Sequence, residues 1–201
     1  LILGSTGSGK SFLTNHILSQ FLSFDPRNEV VIIDVGGSYK KLARLYGGNY
    51  FEIELGKGYG LNPFPAREIL MQGEKPDHDL IGFLATLLEK MLKLENASPD
   101  DVFILESAVK ASYKNLSLKE APKLKDVEKI LRDFPDKDLS RRNKDLNFAR
   151  NLERWTEGRY GELFNKPTTL EVNNRFSVFD LARLTEEKDL QGVLFFMIRS
   201  L

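Results

Sequence analysis

Apolar positions recur along the chain with two different periods, and the changes of period mark its parts. Phe12, Leu13, His16, Ile17, Gln20 and Phe21 give a mostly apolar face at helical spacing, which predicts a helix from about Lys10 to Phe24. Asp25-Pro26-Arg27-Asn28 closes it, because proline cannot continue the hydrogen-bond ladder. Val30 to Ile33 is a continuous β-branched run ending on Asp34, the pattern of a strand buried on both faces. Gly36-Gly37 turns the chain into a short helix around Ser38 to Tyr46. Gly47-Gly48 ends that helix, and Tyr50 to Leu55 alternates as a strand. Before all of these, Leu1 to Leu3 reads as the end of a strand that enters a glycine loop.

The helical period then takes over. Leu80, Leu84, Leu87, Leu88 and Met91 fall on one helical face. Ser98-Pro99-Asp100-Asp101 is a helix start, with a capping serine and proline in the first turn, and that helix is expected to run to about Leu116. Two more helices are predicted near Leu124 to Phe134 and Leu139 to Thr156, and Gly158-Arg159-Tyr160-Gly161 breaks the pattern. Thr168 to Val172 and Phe176 to Phe179 read as strands joined at Asn173-Asn174, and a last helix starts at about Asp189.

Composition sharpens this division. Residues 1–65 hold ten of the fifteen glycines, whereas 66–157 hold only Gly73 and Gly82. Glycine-punctuated β/α units around a glycine-poor helical block predict an α/β core from 1–65 and 158–201, with 66–157 as an all-helical insertion. A hydrophobic fraction of 41% excludes a mostly disordered chain. The 29 basic residues balance the 29 acidic ones, so net charge gives no signal for nucleic acid. The absence of cysteine excludes disulfides, a thiolate metal site and a cysteine nucleophile. No apolar run approaches the roughly 18 residues that span a bilayer. The chain starts and stops inside apolar segments, as expected of part of a longer protein.

The candidate chemistry begins at the first glycine loop. Gly4-Ser5-Thr6-Gly7-Ser8-Gly9-Lys10-Ser11 fills every fixed position of the P-loop pattern G-x-x-x-x-G-K-S/T, between a predicted strand and a predicted helix. Glycines let successive backbone N–H groups of Ser5, Thr6, Gly7, Ser8 and Gly9 converge on phosphates at the positive end of the helix dipole. Lys10 is placed to reach the β- and γ-phosphates of ATP, Ser11 offers a hydroxyl to Mg²⁺, and Phe12 follows at the rim of the same site.

Hydrolysis also needs an acid that holds Mg²⁺ or orients water, usually at the end of an apolar strand. Val30 to Asp34, Val102 to Glu106 and Phe176 to Asp180 all end in an acid. The second lies in helical context and reads as core. Asp34 is the catalytic candidate beside Lys10, with a turn-capping role before Gly36-Gly37 as the open alternative. Asp180 reads more readily as the cap of the segment from Leu181. No Asp-Glu pair follows an apolar run, so a complete Walker B element is absent and this chain alone is expected to turn ATP over weakly. His16 and His78 read as helix residues. Arg141-Arg142 and the Arg150/Arg154 pair read as solvated helix faces, and Arg159 and Arg175, in turns, as candidates for contacts in trans.

Together these segments resemble the TraC-type conjugative ATPases of type IV secretion systems. The likeness rests on the P-loop run from Gly4 to Phe12, then Asp34-Val35-Gly36-Gly37-Ser38-Tyr39, Gly47-Gly48-Asn49-Tyr50 and Leu61-Asn62-Pro63-Phe64. Gly158-Arg159-Tyr160-Gly161-Glu162-Leu163-Phe164, Phe179-Asp180-Leu181 and Asp189-Leu190-Gln191-Gly192-Val193 extend it across almost the whole chain. The resemblance implies a RecA-like P-loop NTPase core of the HerA/FtsK group, incomplete here, with an all-helical insertion after Asn-Pro-Phe. It implies an ATP- and Mg²⁺-dependent motor energising pilus assembly and DNA transfer. Its subunits would form a hexameric ring in the cytoplasm, peripheral to the inner membrane and docked on inner-membrane secretion proteins. The family's Walker B acids and later arginines would follow Leu201.

Two other readings share the loop. A DNA-pumping translocase of the HerA/FtsK type would show a basic, aromatic-interleaved pore loop, against which the balanced local charge argues. A small-molecule kinase would need lid arginines soon after the P-loop, where Pro26 to Phe64 instead reads as β/α core.

Overall fold

The computed structural model describes residues 9–72, 75–133, 139–170, 172 and 174–199. In chain order its first elements are α1 (Lys10–Phe24), β1 (Val30–Asp34), α2 (Lys40–Leu45), β2 (Asn49–Glu52), α3 (Arg67–Leu70), β3 (Met71–Gln72) and β4 (Lys75–Pro76). There follow α4 (His78–Leu92), α5 (Pro99–Ser112), α6 (Leu124–Asp133), α7 (Leu139–Thr156), α8 (Gly161–Phe164), β5 (Phe176–Asp180) and α9 (Lys188–Ile198). The chain divides into two compact units. One takes the described residues up to Glu54 together with 172 and 174–188, and the other takes Leu55–Leu170 and the described residues from Asp189.

The first unit is a parallel sheet in the order β1-β5-β2, as an α/β fold requires. Val30 stands opposite Phe176 and Asp34 opposite Asp180, while Glu52 also faces Asp180. Leu22 of α1 and Leu42 and Ala43 of α2 pack on Phe176 and Val178, with Leu18, Val30 and Ile32 partly buried around them. The connection from Asp25 to Glu29 is short, and Leu18 and Leu22 lie on the sheet, so α1 must run back along β1. The Lys10 end of α1 therefore lies toward the sheet edge where β1 ends at Asp34. The other end is pinned: the Asn28 amide donates to the Phe21 carbonyl (2.6 Å) and the Arg175 guanidinium to the Leu22 carbonyl (2.9 Å).

Local signals act as the sequence predicts at most boundaries. Asp25 stops α1, its carboxylate accepting the Arg27 N–H at 2.8 Å. Gly47 takes φ +62° after α2, and the N–H groups of Gly47 and Gly48 return to Arg44 and Ala43, a Schellman closure. Gly48 then passes so close to Phe176 that a Cβ would strike its carbonyl oxygen.

Three expectations differ. The face of α1 named by Phe12, Leu13, Ile17 and Phe21 is the exposed one, with Phe12 80% accessible, and burial falls instead on Leu22. Leu18 and Leu22 widen the apolar arc beyond that face, so periodicity does not choose the packed side. Val31 of β1 is 46% exposed, so the strand is not covered on both faces; among the described residues β1 has a strand neighbour on one side only. Thr168–Leu170 forms no strand, because Thr169 exchanges bonds with Gly60 in a loop pairing, and 171 and 173 lie outside the described residues. The expected Leu1–Leu3 strand also lies outside them.

The second unit is helical apart from the short antiparallel β3-β4 pair, which interrupts the stretch expected to be all-helical. Ile81, Leu84, Ala85, Leu87, Leu88, Met91 and Leu92 of α4 are buried, and Asp77 caps the helix by accepting from Asp79 (2.9 Å) and Leu80 (3.1 Å). Ser98 and Asp101 form a reciprocal capping box on α5, which ends at Ser112, short of Leu116. Trp155 of α7 is fully buried and its indole N–H donates to the Met91 carbonyl at 3.0 Å.

Candidate nucleotide-binding site

Gly9 stands at the start of α1 with φ +82°, a left-handed conformation that glycine adopts without strain. Lys10 and Ser11 are the first two residues of the helix, and the ladder opens with Leu13 donating to the Gly9 carbonyl at 2.9 Å. Unlike Asp77 or Ser98, Gly9 has no side chain to cap the first-turn N–H groups, and no acid lies in that turn. A positive helix end with no acid in its first turn, carrying a lysine and a hydroxyl, fits phosphate and its Mg²⁺. Phe12 lies beside them, exposed. Ser5, Thr6, Gly7 and Ser8 lie outside the described residues.

Three acids end the three parallel strands in one register row: Asp34 on β1, Asp180 on β5 and Glu52 on β2. The Asp34 carboxylate accepts the backbone N–H groups of Gly36 (3.1 Å) and Ser38 (2.7 Å), which is the turn-capping arrangement. Asp180 is only 4% exposed. One of its oxygens accepts the Ala182 N–H at 2.9 Å, the capping role read from sequence, and the other accepts the Tyr50 hydroxyl. Burial, together with this hydrogen bond to the nearby carboxylate, pushes the Tyr50 phenol well above its ordinary value. Glu52 lies 3.4 Å from Arg183 and 3.8 Å from Lys40, whose ammonium stands over the Tyr50 ring. Among the described residues, no group of three such side chains is placed to hold a metal ion by itself.

The other sequence candidates fall elsewhere. Glu106 pairs with Lys110 along α5 at 3.0 Å. Arg141 bonds Asp100 (2.9 Å), and Arg154 bonds Asp189 (2.8 Å) and the Tyr160 hydroxyl (3.2 Å). Arg175, expected to reach a neighbour, is instead turned onto Leu22 and the Tyr46 ring. His16 and His78 are exposed helix residues. Sequence reasoning did not find the Tyr50–Asp180 contact. Tyr50 and Asp180 lie in separate segments 130 residues apart, and only the order β1-β5-β2 brings them together.

The TraG P-loop domain family matches residues 1–201. The chain belongs to that family. Among solved structures, this TraG P-loop domain is similar to VirB4 of Thermoanaerobacter pseudethanolicus, at 23% identity and a TM-score of 0.73. The match covers 98% of this chain and 53% of that one, so the TraG P-loop domain spans about half the length of its structural relative. The likeness shows a shared P-loop NTPase fold, α/β with a parallel sheet and many helices. No curated protein matches the chain. Among the described residues, no helix of this domain is long and apolar enough to cross a membrane.

Proposed function

We propose that this TraG P-loop domain is the ATP-binding portion of a motor ATPase that energises type IV secretion, including conjugative pilus assembly and DNA transfer. The observation that carries this reading is the acid-free start of α1 at a left-handed Gly9, with Gly9, Lys10 and Ser11 in order behind Gly4 to Ser8. Backbone N–H groups of Ser5, Thr6, Gly7, Ser8 and Gly9 would receive phosphate oxygens. The Lys10 ammonium would neutralise the β- and γ-phosphates, and the Ser11 hydroxyl would take one position on Mg²⁺. Bound Mg²⁺ supplies charge neutralisation on the β- and γ-oxygens. Asp34, at the carboxyl end of β1, is placed at the sheet edge where such ligands bind in α/β folds.

In this reading 1–65 and 158–201 belong to a RecA-like core and 66–157 to a helical insertion. The working protein is a hexameric cytoplasmic ring docked at the inner membrane on secretion-complex proteins. The likeness to VirB4 supports the class. The chain alone turns ATP over weakly, because no Asp-Glu pair follows an apolar run.

The test is ATP turnover by the full-length protein with membrane-complex proteins, with duplex DNA, and with neither. Stimulation by the membrane proteins supports the secretion motor. Stimulation by duplex DNA alone favours a DNA-pumping translocase, and no turnover in any arm overturns both.

A further inference from the structure

The turn that follows Asp34 is tied from within and lies close above a buried pair. From within, the Asp34 carboxylate accepts the N–H groups of Gly36 and Ser38. From below, Gly37 at φ +67° passes directly over the Tyr50–Asp180 pair. A Cβ there would lie 3.6 Å from the Asp180 carboxylate and 3.8 Å from the Tyr50 hydroxyl. The strand ends are locked as well, since Leu181 donates to the Asp34 carbonyl at 2.7 Å and Ile53 to the Asp180 carbonyl at 2.9 Å.

A carboxylate as buried as Asp180 needs a donor on each oxygen. Ala182 serves one oxygen and the Tyr50 hydroxyl serves the other, the oxygen that faces Gly37. Remove the hydroxyl, and that oxygen loses its donor beneath the Gly36–Gly37 turn. A turn that shifts to supply one carries Asp34 with it, because the Asp34 carboxylate is tied to Gly36 and Ser38.

We propose that Tyr50 is a positioning residue: by holding the Asp180 carboxylate it fixes the Gly36–Gly37 turn and the aim of Asp34, and so sets how well the site distinguishes ATP from ADP. The proposal rests on the nucleotide-binding reading above. Asp34 lies at the sheet edge toward which α1 presents Lys10, so an acid displaced there changes the environment of the outermost phosphate and its Mg²⁺ most. ADP, which lacks that phosphate, senses the change least.

Calorimetry of the full-length protein with Mg²⁺–ATP and Mg²⁺–ADP tests it, using wild type, Lys10→Ala, Tyr50→Phe, Asp180→Asn and the double variant, each with a thermal melt. Tyr50→Phe is expected to lower the ratio of ATP to ADP affinity by about fivefold or more, the usual scale of coupling between linked groups. Asp180→Asn should act in the same direction but less, because its amide nitrogen can only donate to the Tyr50 oxygen and the carboxylate charge is gone, and the double variant should be no worse than the sum of the single ones. A wild-type ratio in a folded Tyr50→Phe protein, with Lys10→Ala still impaired, overturns the positioning role and leaves the nucleotide site standing. If wild type binds neither nucleotide, the site itself is overturned and the proposal with it. Should Tyr50→Phe fail to fold, Gly37→Ala decides, since a side chain strains the φ +67° backbone of the turn directly above the same pair. A lowered ratio supports the proposal, and an unchanged one overturns it.

Discussion

Gly60 lies so close to the carbonyl oxygen of Pro167 that no side-chain carbon fits between them. The contact is one of several that stitch Gly60–Phe64 to its surroundings. Gly60 accepts from the Thr169 N–H (2.9 Å) and donates to the Thr169 hydroxyl (3.1 Å), Leu61 donates to Leu163 (2.6 Å), and the Asn62 amide donates to Pro122 (2.8 Å). The Leu-Asn-Pro-Phe segment is thus a brace inside the helical unit. Gly60→Ala is expected to push two backbones apart and destabilise that unit by about 1–3 kcal/mol. Urea denaturation followed by the fluorescence of Trp155, the sole tryptophan and fully buried, reads this directly. An unchanged midpoint would mean the loop yields without loss.

Residue pairs show why some of this structure was legible and some was not. Ser98 and Asp101 stand three apart, and a capping box needs nothing else. Gly47-Gly48 closes α2 for the same local reason. Tyr50 and Asp180 are 130 residues apart, and Asp34 meets Asp180 only because β5 inserts between β1 and β2. Strand order is decided by packing, so a row of strand-end acids is invisible until the sheet forms. The P-loop was legible because its chemistry is contiguous. Its helix's packed side was not, since Leu18 and Leu22 widen the apolar arc and the choice within it rests with Phe176 and Val178.

That choice has an energetic signature. Leu22 is 1% exposed within the core on Phe176, whereas its neighbour Phe21 is 46% exposed. Leu22→Ala is expected to cost about 2–5 kcal/mol through lost burial and a cavity. Phe21→Ala, although it removes a larger side chain, should stay within about 0.5 kcal/mol. Chemical denaturation of both variants checks this, and equal losses would show that α1 packs through both residues.

Acid should loosen the helical unit through Asp189. Hydrogen bonding from Lys93 (2.9 Å) holds its carboxyl below the ordinary value; burial opposes this, and Arg154 (2.8 Å) adds to it. A carboxylate depressed in the folded state contributes stability that is present above its unfolded value and lost as pH falls through the folded one. The loss is therefore expected below about pH 4, starting at the unfolded aspartate value. Asp189→Asn should be less stable than wild type at pH 7, and the gap should close as pH is lowered through that window. Parallel stability–pH curves for the two proteins would remove Asp189 from the account.

Asp34 is the sharpest remaining test, because its carboxylate already has a structural task. With Gly36 and Ser38 both donating to it, Asp34→Asn keeps one acceptor oxygen and loses the charge, and Asp34→Ala loses both. If capping were its whole role, each variant would lower thermal stability while turnover per folded molecule stayed constant. Our reading adds a second task, aiming the carboxylate at the phosphate edge of the sheet. Asp34→Asn in the full-length protein should then lower kcat by about tenfold to a hundredfold, the effect of misplacing a positioning group by about 1 Å. The KM for ATP should rise by only about fivefold, the scale expected of a displaced Asp34, because the P-loop backbone and Lys10 would still hold the phosphates. An unchanged kcat with a lowered melting temperature would assign Asp34 to the turn alone, and the catalytic acid would then have to come from another part of the protein.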